Sequence, residues 1–199
     1  MRTHPVEDVS RLPTYGFGPV SPMWWGTLGL FAVEGMGFVL AIGMYLYLWF
    51  VAPQPPPGLP APSHWPGTLA LLALLASWWP NALAAKAGKE EDLPRVRVLL
   101  VIMTLVALVI IGIRFYEFWN LPFSWDANGY ASTVWFILGL HAAHVITDAG
   151  DTIVLAVLMF TRHGHGKRFS DVHDNAFYWY FVIVTWIPLY LLIYWFPRI

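Results

Sequence analysis

The chain has no cysteine, and charged residues make up only 12% of its 199 residues. The absence of cysteine excludes a disulfide, a thiolate ligand and persulfide chemistry, so any metal ligand would have to be His, Asp, Glu or Met. The 11 Lys and Arg side chains are balanced by 12 Asp and Glu side chains. Because nucleic-acid binding requires a basic surface, we expect no nucleic-acid partner.

Apolar residues are abundant instead, at 58% of the chain, and they include 12 tryptophans. They form five runs, each close to or above the about 20 residues that cross a hydrocarbon core. The runs cover 24–51, 67–85, 97–119, 131–161 and 175–196. Backbone groups in lipid need internal partners, and the runs show no two-residue alternation, which favours helices over a barrel. We therefore predict an all-α membrane protein with a five-transmembrane-helix bundle.

The distribution of basic residues predicts the orientation. Residues 1–23 contain four prolines and no apolar core before Trp24, so they do not resemble a cleavable signal peptide. Nine of the eleven basic residues lie in this arm or in the loops after the second and fourth spans, whereas the loops 52–66 and 120–130 have none. The positive-inside rule then places the arm in the cytoplasm and the C-terminus of the transmembrane domain, 24–199, in the periplasm. Six prolines between Pro53 and Pro62, in the first outer loop, predict a stiff, extended connector.

Four polar residues share one face of the fourth span. At about 100° per residue, His141, His144, Asp148 and Asp151 fall within roughly 80° of arc. An aspartate at the bilayer centre costs about 2.5 to 3.5 kcal/mol, so this face must point at protein, water or a proton path. Three interpretations stay open: a satisfied interhelical network, a proton-handling group or a metal site.

Three further ionisable residues lie inside spans. Glu34 stands among glycines in the first span, where it is either a hydrogen-bonded packing carboxyl or a proton-exchanging group. Arg114 and Glu117 are three residues apart in the third span, and a pair at this spacing predicts an ion pair on one helix. Outside the spans, the run from Arg162 to Asn175 holds three histidines beside glycines and cations, which predicts a solvated loop rather than a metal site.

Several segments together resemble subunit III of the cytochrome c oxidase, or haem-copper oxidase, family. Residues 132–145 read STVWFILGLHAAHV, and the last span reads AFYWYFVIVTW over 176–186 and LIYW over 192–195. A Glu followed by an aromatic-rich stretch occupies 33–50, and EFWNLPF occupies 117–123. These are four ordered matches across about 170 residues.

The resemblance implies an accessory, non-redox subunit of a respiratory haem-copper terminal oxidase in a bacterial inner membrane. It implies no catalytic residue, cofactor or metal in this chain, since haem and copper belong to the catalytic subunit I. The partners implied are subunit I, subunit II and membrane lipids, and the role is to support assembly, phospholipid binding and proton uptake. His141 and His144 resemble family positions at which no haem is bound. The candidate proton and polar network is Glu34, Glu117, His141, His144, Asp148 and Asp151.

The chain also departs from the common family pattern. The common form has seven helices and this chain supplies five, so it is similar to the shorter bacterial versions. The usual Tyr-Trp-His-Phe-Val-Asp of the last helix reads YWYFVI at 178–183, whereas Asp148 and Asp151 replace residues that are usually small or apolar. Such divergence is also found in accessory subunits of nitric oxide reductase-like complexes. The alternatives from other classes are a free-standing proton channel or transporter and a membrane metalloenzyme.

Overall fold

The computed structural model describes residues 15–52 and 58–198, and within these ranges it contains helices but no strand. The long helices are α1 (Pro22–Val51), α2 (His64–Lys89), α3 (Leu93–Trp119), α4 (Gly129–Phe160) and α5 (Lys167–Tyr190). A π-helical segment, Leu191–Trp195, continues α5, and short 3₁₀ turns cover Gly18–Val20 and Phe196–Arg198. All five helices are long and apolar enough to cross a membrane. The predicted all-α class and the five spans are thus confirmed, while the orientation of the termini stays a prediction.

Predictions for most of the N-terminal arm, residues 1–14, and for the prolines within 53–57 lie outside the described residues. Elsewhere the helices extend two to eight residues beyond the apolar runs at most ends. A hydrocarbon core needs only about 20 apolar residues, but a helix continues until its backbone is capped. Asp92, for example, caps α3 by accepting from the Arg95 backbone N–H at 3.2 Å.

The largest difference is at the start of α5. The helix begins at Lys167 and the observed loop covers residues 161–166, so the prediction of a solvated loop from Arg162 to Asn175 is wrong for 167–175. The reason is apolar burial, because Phe169 and Val172 are 5% and 1% exposed and pack in a cluster with residues of α2, α3 and α4. A helix places these two side chains on one face, and the polar residues between them are carried into helical positions.

Helices α2 to α5 form a four-helix bundle, and α1 packs against its outside, on α4 and α5. Hydrogen bonds join α2 to α5. The Trp179 indole N–H donates to the Ser77 hydroxyl, and the Asn81 amide donates to the Ala176 carbonyl, both at 2.8 Å. Within an apolar stretch of 18 residues in each helix, only 11% of the residues of α1 are buried, compared with 44% in α4 and 44% in the span formed by α5 and its continuation. Because α1 is packed less tightly than the other helices, polar side chains in the groove between α1 and the bundle can be half-buried and still contact one another.

Candidate functional site

The polar face of α4 contacts two separate sets of partners. The end of the bundle that carries the π-helical segment is called the Tyr194 end, and the opposite end, with the 161–166 loop, is called the Lys167 end. His141 joins a buried cluster towards the Tyr194 end, whereas His144 contacts α1 and Asp148 opens into a cleft towards the Lys167 end. An arc of roughly 80° is wide enough to face more than one neighbouring helix.

The Arg114 cluster, made of Arg114, Glu117, His141 and Tyr194, joins α3 to α4 and to the end of α5. Arg114 pairs with Glu117 one turn along α3, and this confirms the predicted ion pair. Both side chains are nearly inaccessible, at 3% and 1% exposed. Glu117 also accepts from the Tyr194 hydroxyl, and the guanidinium lies 3.5 Å from the centroid of the Trp186 ring. A buried ion pair needs such additional partners, because its desolvation is costly.

The hydrogen bonds of His141 determine its tautomer. Arg114 Nη2 lies 3.0 Å from His141 Nδ1, and a guanidinium can only donate, so Nδ1 accepts. His141 Nε2 lies 2.9 Å from the Val182 carbonyl, to which it must donate. The ring is therefore neutral, with its proton on Nε2, and both nitrogens are used. No lone pair of this imidazole is free for a haem iron or a metal ion.

Gly67 allows Tyr194 to approach the cluster. A Cβ atom at this position of α2 would come within 3.0 Å of the Tyr194 ring, closer than real Cβ contacts. The ring therefore occupies the space of a missing side chain, while its hydroxyl reaches Glu117. A π-helical turn shifts the register of the residues that follow it, and here it contains Tyr194.

The Glu34 cleft lies between α1, α4 and α5. The Tyr178 hydroxyl donates to Glu34 Oε2 at 2.8 Å, and His144 Nε2 lies 3.6 Å from the same oxygen. His144 Nδ1 lies 2.6 Å from the Leu140 carbonyl one turn back, to which it must donate. In the neutral ring, Nε2 is then an acceptor that faces a carboxyl oxygen, and a proton between the two groups would satisfy both. Glu34 is thus directed at α4 and α5. The glycines around it are not points of close helix approach, because a Cβ at Gly35 or Gly37 would meet nothing within 4 Å.

Asp148 and Asp151 line the cleft next to Glu34. The cleft has a volume of about 530 Å³ and extends along α4 and α5 to Lys167 and Arg168. Asp148 is 2% exposed, and its Oδ2 has no hydrogen-bond partner among the described residues. Asp151, by contrast, is exposed. The expectation of one fully satisfied network on α4 therefore differs from the structure, which satisfies His141 but leaves Asp148 without a donor.

Three polar participants were not predicted from the sequence, namely Tyr178, Tyr194 and Asp174. Both tyrosines lie in the last span, and a tyrosine hydroxyl within a span needs a hydrogen-bond partner, which is a signal the sequence offered. Asp174 was placed in a loop, yet it lies on α5 at 5% exposure and lines the cleft. Within residues 15–52 and 58–198, no group of three His, Asp or Glu side chains is placed to hold a metal ion.

The five apolar helices define a multi-pass membrane protein in which buried polar side chains, such as Arg114 and His141, link neighbouring helices. A family profile described as "Cytochrome c oxidase subunit III" matches residues 67–198, which is most of the chain. The chain belongs to this family. The match covers nearly all of α2 and the whole of α3 to α5, and it includes five of the six predicted site residues, namely Glu117, His141, His144, Asp148 and Asp151.

Curated relatives carry the same description, "Cytochrome c oxidase subunit 3". The Arabidopsis thaliana protein is 32% identical over 147 residues, which is 71% of this chain and 54% of that protein. The Triticum aestivum protein is 33% identical over 147 residues, with the same coverage. The Homo sapiens protein is 27% identical over 203 residues, which is 94% of this chain and 76% of that protein. The chain thus spans about half the length of the plant relatives that it matches.

Proposed function

We propose that this chain is an accessory, non-redox subunit III of a respiratory haem-copper terminal oxidase. The family match over residues 67–198 carries the proposal. The structure supports a non-redox role, because His141 uses both ring nitrogens within the protein and the polar groups around it serve as links between helices. The catalytic subunit I, which contains haem and copper in this proposal, and subunit II are the partners.

Support for proton uptake is the second part of the proposal, and it concerns the Glu34 cleft. Tyr178 and His144 both stand within hydrogen-bonding or ion-pairing reach of Glu34. The cleft extends from this group past Asp148 and Asp151 to the basic residues at the Lys167 end. Ionisable side chains in a cavity at membrane depth are the usual parts of a proton path. Glu34 would exchange protons with water in the cleft, close to the catalytic subunit.

The remaining parts of the proposal are the location and the assembly. The chain resides in a bacterial inner membrane, with the Lys167 end in the cytoplasm and the Tyr194 end in the periplasm. The basic residues near the Lys167 end and the lack of Lys and Arg in 52–66 and 120–130 support this orientation. The large apolar surface of α1 and α3 is available for phospholipid and for the catalytic subunit.

Purification of the native complex tests the proposal. The chain is tagged in its own host, extracted in mild detergent, and the co-purifying chains are identified against an untagged strain. We expect a haem- and copper-containing oxidase subunit in stoichiometric amount, and no haem absorption or stoichiometric metal in this chain once it is separated. A nitric oxide reductase as the partner would support the nearest alternative instead. A chain that purifies without any respiratory subunit, or that retains haem or about one equivalent of metal, would contradict the proposal.

A further inference from the structure

Residues 15–21, called the strap, precede α1 and cross the Lys167 end of the bundle. The Tyr15 hydroxyl donates to Glu91 Oε1, in the turn between α2 and α3, at 2.6 Å. This hydrogen bond raises the pKa of the Tyr15 phenol, so the donor keeps its proton. The Phe17 ring lies edge-on to the His173 ring of α5, with centroids 6.0 Å apart, and packs on the apolar cluster at this end. The strap thus links the start of α1 to the α2–α3 turn and to α5.

Glu91 has an unusual backbone conformation. Its φ is 52°, and it is the only non-glycine residue with a positive φ in the part of the chain that the structure describes. Glycine is usual at this position after a helix, because a side chain is strained there. The strain is retained at a residue whose carboxylate accepts from the Tyr15 hydroxyl, a contact that glycine could not make. The turn is therefore built to hold the strap.

The junction between the strap and α1 is stiff. The Ser21 backbone N–H donates to the Gly18 carbonyl at 2.8 Å, and the Trp25 indole N–H donates to the Pro19 carbonyl at 3.0 Å. Gly18 has a φ of 60°, which glycine adopts without strain. Because these bonds join the strap to the first turn of α1, a displacement of the strap would displace that end of the helix.

Polar contacts hold α1 to α4 only away from the strap. The Tyr45 and Tyr130 hydroxyls lie 3.1 Å apart near the Tyr194 end, and Glu34 approaches His144 further along the helix. Between Glu34 and the strap, no hydrogen bond joins α1 to α4 among the described residues, and the Glu34 cleft separates the two helices there. The apolar stretch of α1 is only 11% buried, and few buried contacts are typical of an element that opens locally.

Aromatic contacts hold the same end of α1 to α5. Trp24 stacks on Phe177 with ring centroids 5.5 Å apart, and Phe31 stacks on Phe181 at 4.6 Å. Burial of apolar surface is not directional, so these rings allow α1 to shift along α5. The hydrogen bond between Tyr15 and Glu91 is directional, and it anchors the strap to the α2–α3 turn.

We infer that the strap holds the Lys167 end of α1 on the bundle and limits how far the Glu34 cleft opens. Release of Tyr15 and Phe17 would let this end of α1 move away from α4 about the contacts of Glu34 and Tyr45. The opened cleft would admit water to Asp148, which is 2% exposed in the closed form. Every contact involved lies within this chain, so the inference can fail without the proposed oxidase role failing, and the reverse.

Pulsed electron paramagnetic resonance of the spin-labelled full chain in lipid nanodiscs tests the inference. Because the sequence contains no cysteine, Leu30→Cys with Val154→Cys gives a single pair of labels, on the α1 and α4 walls of the cleft. Both positions are exposed, at 45% and 59%, so the labels fit. Tyr15→Phe should increase the population at longer distance by about threefold, because it removes one hydrogen bond. Tyr15→Phe with Phe17→Ala should increase it by about tenfold, because an aromatic contact is lost as well.

Glu91→Gly distinguishes a restraint on the cleft from a contact that merely stabilises the fold. It removes the acceptor for Tyr15 but suits the left-handed backbone, so the unfolding temperature should stay the same or rise while the open population increases about threefold. Glu91→Gln keeps an accepting oxygen and should leave the open population close to that of the unchanged chain. Tyr47→Phe is the matched control, because it removes the same hydroxyl from a residue of α1 that is 61% exposed.

Unchanged distances in both Glu91→Gly and the double variant Tyr15→Phe with Phe17→Ala would overturn the inference. An equal shift in the control Tyr47→Phe would overturn it too, because the opening would then not depend on the strap. If the double variant does not fold, as judged by size-exclusion behaviour, Tyr15→Phe and Glu91→Gly still decide the outcome, since each changes one side chain at the surface.

Discussion

Arg114 on α3 donates to His141 on α4 across 3.0 Å, although 27 residues separate them in the sequence. This bond assigns His141 to the Arg114 cluster and separates it from His144, which contacts Glu34 on α1. Two histidines only one turn apart on the same helix thus belong to different sites. The first links helices, and the second lies beside a carboxyl in an open cleft.

The Arg114 cluster should dominate the stability of the Tyr194 end. Arg114→Met leaves Glu117 buried with one partner fewer, and we expect a loss of about 3 to 5 kcal/mol, because an uncompensated buried charge is costly. The measurement is thermal unfolding of the detergent-solubilised chain. The double substitution Arg114→Met with Glu117→Met should recover most of the loss.

Arg95→Met is the control for this prediction. Arg95 pairs with Glu90 at 3.5 Å, and the two side chains are 46% and 47% exposed. An exposed pair of this kind contributes about 0 to 1 kcal/mol, so little change is expected. If Arg114→Met were no more damaging than Arg95→Met, the structural role of the cluster would be refuted.

Gly67 should not tolerate a methyl group. Gly67→Ala places a Cβ within 3.0 Å of the Tyr194 ring, so the ring must move away from Glu117. We expect a destabilisation of about 1 to 3 kcal/mol in the same unfolding assay, as for other overpacked sites. Gly112→Ala is the matched control, because a Cβ there meets nothing within 4 Å on the exposed face of α3. Equal stability of the two variants would contradict the close contact.

The two histidines of α4 should differ in their effects on assembly. His141→Gln removes the acceptor for Arg114 or the donor for Val182, since one amide cannot reproduce both bonds in the ring's geometry. We expect less of this chain in the purified complex. His144→Gln should leave the chain content near that of the unchanged protein, because the contact of His144 with Glu34 on α1, at 3.6 Å, is longer than either bond of His141 to a neighbouring helix. Quantifying the chain against its co-purifying partner checks both outcomes, and the reverse order of effects would refute the division into two clusters.

Glu34→Gln should separate the packing role of this residue from its proton role. The amide still accepts from the Tyr178 hydroxyl, but it carries no titrating proton. We expect normal assembly with slower or less durable oxygen consumption. The loss should stay below about tenfold, because loss of a true general acid or base costs about 10² to 10⁴.

The assay for Glu34→Gln uses the whole complex at several pH values and records both the initial rate and inactivation during turnover. Glu90→Gln, an exposed change at the Lys167 end, is the control. Rates and durability equal to the unchanged protein would show that Glu34 has a packing role only.

The orientation can be tested with tags at the two ends of the chain. A tag before Met1 should be protected from a membrane-impermeant reagent in intact cells, and a tag after Ile199 should react once the outer membrane is permeabilised. The reason is the concentration of basic residues in the loops on the cytoplasmic side. The opposite labelling pattern would show that the orientation is inverted.

The number and type of the spans follow from the hydrophobic runs of the sequence. Hydrophobic runs specify helices locally, because lipid leaves the backbone no other way to satisfy its polar groups, and five runs became five helices. The pair of Arg114 and Glu117 was equally predictable, since both residues lie on one helix at a spacing that brings them together. The resemblance to subunit III also came from contiguous motifs, and the family match confirmed it.

Which polar residues contact one another depends on how the helices pack. Nothing local to α4 indicates that His141 contacts α3 while His144 contacts α1, because those contacts depend on how the neighbouring helices are arranged around it. Burial of Phe169 and Val172 likewise extended α5 into a segment whose composition is typical of a loop, and placed Asp174 in the cleft. Helix formation in a membrane is governed by hydrogen bonding within one segment, whereas polar partners are chosen by packing between segments, which a single sequence does not encode locally.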